Sequence, residues 1–251
     1  MRTTLPKILL LLAGAAYGSP ALAQTPTLEF TTGANNPTGN GPVTTNQVIT
    51  LQNNTDNPTG SNNFVSYSPT TTVTFTLSGQ QYPADMAGTN RGVMFGGASS
   101  ANNNSATPDA YALFPTVGAI SGSAPTQYTS TNGVTGGISL TANNAVELFT
   151  DGEYISSNNT AGTRYRYATL TLTFSQPMVN PVLHITGLGT NNGGIGYTSE
   201  LDLLTTGVTF SKLSGSTELN VTSTQILNSA ANPTFSTGGG AASGSVLVTT
   251  P

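Results

Sequence analysis

The chain has 251 residues, of which only 6% are charged, and a formal net charge of −4. Ordinary globular domains carry about 25% charged residues, so Asn, Thr, Ser and Gly must supply most of this surface. A chain so poor in cations cannot neutralise a run of phosphates, which excludes nucleic acid and anionic lipid as specific partners.

Residues 1–23 predict a secretory signal peptide. Arg2 and Lys7 form its positive region, residues 8–16 are a short apolar run, and Ala21 and Ala23 flank the expected cut. The apolar run is too short to cross a bilayer in the mature chain. We therefore expect a chain that begins at Gln24, has no membrane span and is secreted or held at the cell surface.

The mature part predicts an all-β fold. No stretch repeats apolar residues at helical spacing, whereas short β-branched runs are separated by Asn, Gly, Pro and Ser. Residues 70–77 and 165–174 alternate most cleanly, with threonines on one face and apolar side chains on the other. The second of these runs is the best candidate for a central strand. In chain order the predicted strands are 43–51, 71–78, 137–141, 146–150, 165–175, 182–187, 207–213 and 245–250.

These strands favour an antiparallel β-sandwich of the jelly-roll or Ig-like kind with long Asn/Gly/Thr-rich loops, of which 98–109 is the most polar. We expect a single domain over residues 24–251, because sandwiches often run to about 200–250 residues. The chain ends directly after a strand, and we favour a fragment of a longer protein over a complete small one. The interior is predicted around Val73, Phe75, Leu77, Leu170, Leu172, Phe174, Leu183 and Ile185.

Candidate catalytic groups are few. The chain has no cysteine and one histidine, so disulfides are excluded and a zinc site lacks ligands. His184 lies on the polar face of a predicted strand, and no G-x-S-x-G motif supplies a nucleophile for it. We interpret His184 as a strand-surface residue without a catalytic role.

The densest group of acids is Glu147, Asp151 and Glu153. Asp151 and Gly152 read as a turn, and carboxylates spaced along a flexible loop suit Ca²⁺ better than acid–base catalysis. These three residues are the predicted calcium site, and the alternative is that they are solvated turn acids. Glu200 and Asp202 form a second acidic pair.

Sugar platforms and covalent cross-links have weaker signals. The chain has no tryptophan, so stacking on a sugar depends on tyrosines. We interpret two of these, Tyr165 and Tyr167, as residues on a strand surface or in the core of a second sheet. Lys212, the only lysine after the leader, is expected to be exposed or snorkelling rather than cross-linked. The tyrosines considered for stacking are Tyr111, Tyr128, Tyr154, Tyr165, Tyr167 and Tyr197.

One part of the chain resembles a known class of proteins. The stretch 171–189, followed by 199–203 and 212–215, is similar to β-sandwich regions of large exported bacterial surface proteins of the adhesin type. The resemblance covers about residues 165–248 and implies a surface or matrix module without bringing any catalytic residue.

Together these features predict a secreted, non-enzymatic adhesion or structural module that binds an extracellular glycan or protein. The alternative is a carbohydrate-active module, either a lectin-like binder or a glycosidase that uses Glu147, Asp151 or Glu153.

Overall fold

The structure is a computed structural model that describes eleven ranges of the chain. Within them every strand pair is antiparallel and the only helical elements are two short 3-10 helices, which confirms the all-β prediction. No helix among these residues is long and apolar enough to cross a membrane. The described ranges are 29–30, 36–55, 63–81, 92–97, 111–119, 124–129, 137–151, 163–192, 195–197, 199–229 and 241–250.

The signal peptide predicted for residues 1–23 and the polar loop predicted for 98–109 fall outside these ranges. Several predicted strands are found with shifted ends, and the structure adds β1, β3, β5, β9, β10, β11, β13 and β14. The strands are β1 (Glu29–Phe30), β2 (Gln47–Asn54), β3 (Phe64–Ser66), β4 (Thr72–Ser78), β5 (Gly92–Phe95), β6 (Leu148–Asp151), β7 (Thr169–Phe174), β8 (Val182–Leu188), β9 (Thr190–Asn192), β10 (Ile195–Tyr197), β11 (Leu201–Asp202), β12 (Thr209–Gly215), β13 (Leu219–Val221), β14 (Gln225–Asn228) and β15 (Ala242–Thr249).

The first sheet is organised by β4, which pairs with β2 on one side and with β7 on the other. Val73 of β4 points inward and belongs to a buried cluster with Ile49, Leu51 and Phe114. Within the described residues the order β1–β2–β4–β7 ends at β7. The prediction that 165–175 supplies a central strand is therefore not confirmed among these residues, because alternation identifies a buried face but not the number of neighbouring strands.

The C-terminal part packs two three-stranded sheets against each other. One sheet has the order β12–β15–β8 and the other β11–β14–β13. Ala242 and Val246 of the first sheet share a buried cluster with Leu219 and Ile226 of the second. Two antiparallel sheets joined by one apolar layer are the arrangement of a β-sandwich.

Five of the eight predicted interior residues belong to these two clusters or pack against them. Phe75, Leu172 and Phe174 pack against the cluster of the first sheet, whereas Ile185 packs against the C-terminal cluster. Of the eight, Val73 alone is fully buried. The sequence pattern identified the inward faces, but the side chains that cover those faces come from distant parts of the chain.

A third cluster is formed by segments that connect the strands, and it contains Val117, Tyr128 and Ile138. The strand predicted for 137–141 is wrong, because this segment forms a turn. The Ser139 N–H donates to Asn143 Oδ1 at 2.7 Å, and the Asn143 N–H donates to the Ser139 carbonyl at 2.9 Å. Such local bonds from an Asn side chain compete with the ladder of a sheet.

The stability of the C-terminal sandwich should depend on its buried layer. Ile226 is 0% exposed and Leu204 is 65% exposed. We expect I226A to lower the free energy of unfolding by about 2–5 kcal/mol, because the truncation leaves a cavity. L204A should change it by about 0.5 kcal/mol or less. Chemical denaturation followed by circular dichroism measures both, and equal losses from the two variants would contradict this assignment of the interior.

Candidate functional site

Two neighbouring strands of the first sheet carry hydroxyl side chains on the side opposite the core. Because side chains alternate along a strand, burial of Val73 and Phe174 on one side places their neighbours on the other. We call this surface the hydroxyl face. It consists of Thr72, Thr74, Thr76 and Ser78 of β4, Thr169, Thr171 and Thr173 of β7, and Ser175 just beyond β7.

The register of β4 and β7 arranges these side chains in rows. Thr74 lies opposite Thr173 and Thr76 lies opposite Thr171. Directly opposed residues point to the same face with Cβ atoms about 4.5–5.5 Å apart. Successive rows are separated by two residues, or about 6.8 Å along the strand. Four rows therefore form a grid about 20 Å long.

The ends of the hydroxyl face are held by hydrogen bonds. At one end the Arg166 guanidinium donates through Nη2 to Thr169 Oγ1 at 3.0 Å. At the other end the Thr72 N–H donates to Ser175 Oγ at 2.8 Å, and the Ser175 N–H donates to the Thr72 carbonyl at 2.9 Å. These bonds fix the two outer rows of the grid.

The four central hydroxyls, those of Thr74, Thr76, Thr171 and Thr173, make no hydrogen bond within the described part of the chain. Thr171 and Thr173 are exposed, whereas Thr74 and Thr76 are half-buried between neighbouring strands. A hydroxyl offers one donor and two acceptor positions. The centre of the grid can therefore bind neutral polar groups of a ligand, and its threonine methyl groups add apolar contact.

An exposed valine and a groove lie beside the hydroxyl face. Val48 of β2 pairs with Thr74 and is 45% exposed. Val48 also lines a shallow groove of about 350 Å³, whose other lining residues include Pro37, Val43 and Leu113. The groove residues carry no charge and no aromatic ring. The neutral character of the hydroxyl face thus extends beyond β4 and β7.

The residues of the predicted calcium site are only partly described. Glu147 directly precedes β6, and Asp151 is the last residue of β6, opposite Gly92. Asp151 therefore ends the strand, whereas Gly152, the second residue of the predicted turn, and Glu153 belong to a part of the chain that the structure does not describe. A strand rises about 3.4 Å per residue, so the backbones of Glu147 and Asp151 stand well apart.

Burial raises the pKa of Glu147 above its ordinary value. In the described ranges no three residues among His, Asp and Glu lie together as a metal-binding group. The calcium site at Glu147, Asp151 and Glu153 stays a prediction.

His184 lies in β8 on the face of its sheet that is covered by the segment 124–129. Its Nδ1 is 2.9 Å from Ser245 Oγ of β15, and its ring meets the Tyr128 ring edge-on with the centroids 6.0 Å apart. The Thr129 N–H donates to the same Ser245 Oγ at 3.0 Å. These contacts fasten the connecting segment to the C-terminal sandwich.

Burial lowers the pKa of His184 to about 4, without a contribution from a charged neighbour. The imidazole is therefore neutral near pH 7. Ser245 is 0% exposed, so a substrate has no access to its hydroxyl. A general-base pair needs an accessible nucleophile and an orienting group, and the geometry of His184 and Ser245 instead suits a structural contact.

The remaining polar candidates have partners of their own. Lys212 Nζ donates to the carbonyls of Ser216 and Leu219, each at 2.8 Å. Glu200 forms an ion pair with Arg164 at 2.6 Å, and Asp202 Oδ1 accepts a hydrogen bond from Gln225 Nε2 at 2.7 Å. These side chains serve local packing.

The tyrosines do not form a flat platform in the described part of the chain. Tyr128 and Tyr167 are buried, while Tyr111 is 44% exposed. Tyr165 is half-buried. Of the two interpretations offered for Tyr167, strand surface or core, the structure supports burial, although Tyr167 precedes β7 rather than belonging to it.

Sequence reasoning missed the hydroxyl face as a site. Both threonine patterns were recognised, but nothing in the sequence places 72–78 beside 169–174, which are separated by about ninety positions. The signal that was present is the matching Thr-x-Thr-x-Thr alternation in the two runs.

Comparison with known proteins adds no relative: no family model, no curated protein and no solved structure matches the chain.

The pH dependence of stability should report the environment of His184. Its pKa is lowered from 6.5 to about 4 in the folded state. The unfolded chain therefore takes up a proton first as the pH falls, and stability is lost between about pH 6.5 and 4, by at most about 3 kcal/mol. We expect H184Q to flatten the dependence in this window. Denaturation midpoints measured across the pH range test this.

Glu218 provides the matched control. Hydrogen bonds, first from its own backbone and then from Ser216, lower the pKa of Glu218 below 4.5. The stability that Glu218 contributes is therefore lost only below this pH window. We expect E218Q to keep the slope of unfolding free energy against pH between pH 6.5 and 4.5. Identical slopes for the parent and H184Q would contradict the assignment to His184.

Proposed function

We propose that this chain is a secreted, non-enzymatic adhesion module that contacts its ligand through the hydroxyl face. The observation that carries the proposal is the set of four central threonine hydroxyls without partners in the described part of the chain. A regular polar surface on a rigid sheet, built without charge, suits contact with another surface better than it suits chemistry.

Secretion is supported by the sequence of residues 1–23, which has the positive, apolar and small-residue regions of a signal peptide. The low charge of the chain also suits an extracellular role, because adhesion through neutral groups is insensitive to the ionic strength of the surroundings.

The non-enzymatic part of the proposal is supported by the state of the candidate catalytic groups. Ser245, the partner of His184, is buried, and Glu200 is engaged by Arg164. Among the residues that the structure describes, the eight members of the hydroxyl face include no acid or base, and an unassisted hydroxyl is a weak nucleophile.

The proposal predicts adhesion that depends on the hydroxyl face. Beads coated with the mature protein should be retained under flow on at least one of three films, made of neutral polysaccharide, gelatin or alginate. Replacing exposed threonines by T171K/T173K should abolish retention, because lysines crowd and charge the grid. Thr209 of β12 is also exposed, so T209K is the matched control and should keep full retention.

Thermal melts of both variants establish that they fold. Retention on none of the films, or equal retention of T171K/T173K and the parent, would contradict the proposed function. Hydrolysis of the polysaccharide film would contradict its non-enzymatic part.

A further inference from the structure

We infer that the hydroxyl face binds a single extended chain of a neutral polysaccharide. This inference rests on the proposed function and names the class of its ligand. It is carried by the charge, spacing, length and curvature of the surface.

The first argument is charge. None of the eight side chains of the hydroxyl face is charged, and Arg166, a cation at the end of the grid, is bound to Thr169. An anionic polymer gains nothing at such a surface and loses hydration. A neutral partner with many hydroxyls exchanges hydrogen bonds with water for hydrogen bonds with Thr74, Thr76, Thr171 and Thr173.

The second argument is magnitude. A hydrogen bond formed in place of one to water changes affinity by about tenfold. A monosaccharide reaches two or three of the central hydroxyls and finds no aromatic ring to stack on, so its binding is weak. A polymer that contacts every row adds these gains within one binding event. The ligand is therefore a repeating chain rather than a small sugar.

The third argument is extent. Four rows span about 20 Å along the strands, which a chain of several sugars is needed to cover. At the side of the grid, across the strands, Val48 lies opposite Thr74 and lines the uncharged groove of about 350 Å³. A chain that lies along the rows therefore meets no charge on this side of the grid.

The fourth argument is curvature. Adjacent strands in a sheet are rotated by about 20–25° relative to each other, so the hydroxyl face is twisted rather than flat. The planar surface of a crystal meets only part of a twisted grid. A single chain that lies along β4 and β7 follows the twist and keeps contact with every row.

Affinity gel electrophoresis tests the inference with gels that contain barley β-glucan, galactomannan, dextran or alginate. We expect at least one neutral polymer to retard the mature protein, with no retardation by alginate. The retardation should persist when salt is added, because no ionic contact is involved. Glucose and cellobiose should not compete.

Isosteric variants identify the surface. T171V/T173V removes two exposed hydroxyls while keeping β-branched side chains, and should weaken binding to the neutral polymer by about tenfold or more. T209V is the matched control on β12 and should bind like the parent. Unchanged melting temperatures establish that both variants fold.

The inference would be overturned if no neutral polymer retards the protein, including the case in which alginate alone does. It would also be overturned if the protein binds only microcrystalline cellulose, or if T171V/T173V binds as well as the parent. If beads are still retained on gelatin and lose retention in T171K/T173K, the proposed function stands and only the ligand class is wrong. Beads that are retained nowhere would overturn both.

Discussion

The register between β4 and β7 is the constraint on which the first sheet and the hydroxyl face both depend. Val73 faces Phe174 toward the core, and Thr74 faces Thr173 on the opposite side. A slip of one residue in β7 turns its apolar side chains to solvent and its threonines into the core. The reciprocal bonds between Thr72 and Ser175 hold this register at one end. The same pairing thus buries the apolar face and aligns the hydroxyls.

Small polar side chains join segments of this chain, as disulfides and ion pairs do in many other proteins. Asn36 Oδ1 accepts a hydrogen bond from the Thr50 N–H at 2.6 Å, and Asn144 Nδ2 donates to the Phe114 carbonyl at 2.7 Å. Asn228 Nδ2 donates to the Leu188 carbonyl at 2.9 Å. Each bond satisfies a buried backbone group that otherwise costs free energy. Because asparagine carries no charge, these hydrogen bonds hold segments of the chain together without adding charged side chains.

The structure changes the meaning of the polar groups that the sequence singles out. His184 was expected at a strand surface, but its face is covered by Tyr128 and the segment around it. The sequence pattern left Tyr167 either on a strand surface or in a core, and the structure buries it. The resemblance to exported bacterial surface proteins stays a prediction. The hydroxyl face is a surface on which the adhesive role implied by that resemblance can be tested.

By itself the sequence determined the all-β character, the inward faces of β4 and β7 and the neutral composition of the surface, because these follow from local alternation and residue type. Only the tertiary structure decided which strands are neighbours. Among the described strands β7 pairs with β4 alone, and residues 137–141 became a turn that packs Ile138 against Tyr128. The hydroxyl face exists because two distant threonine runs pair, and such long-range pairing is set by packing across the whole chain, which local sequence does not encode.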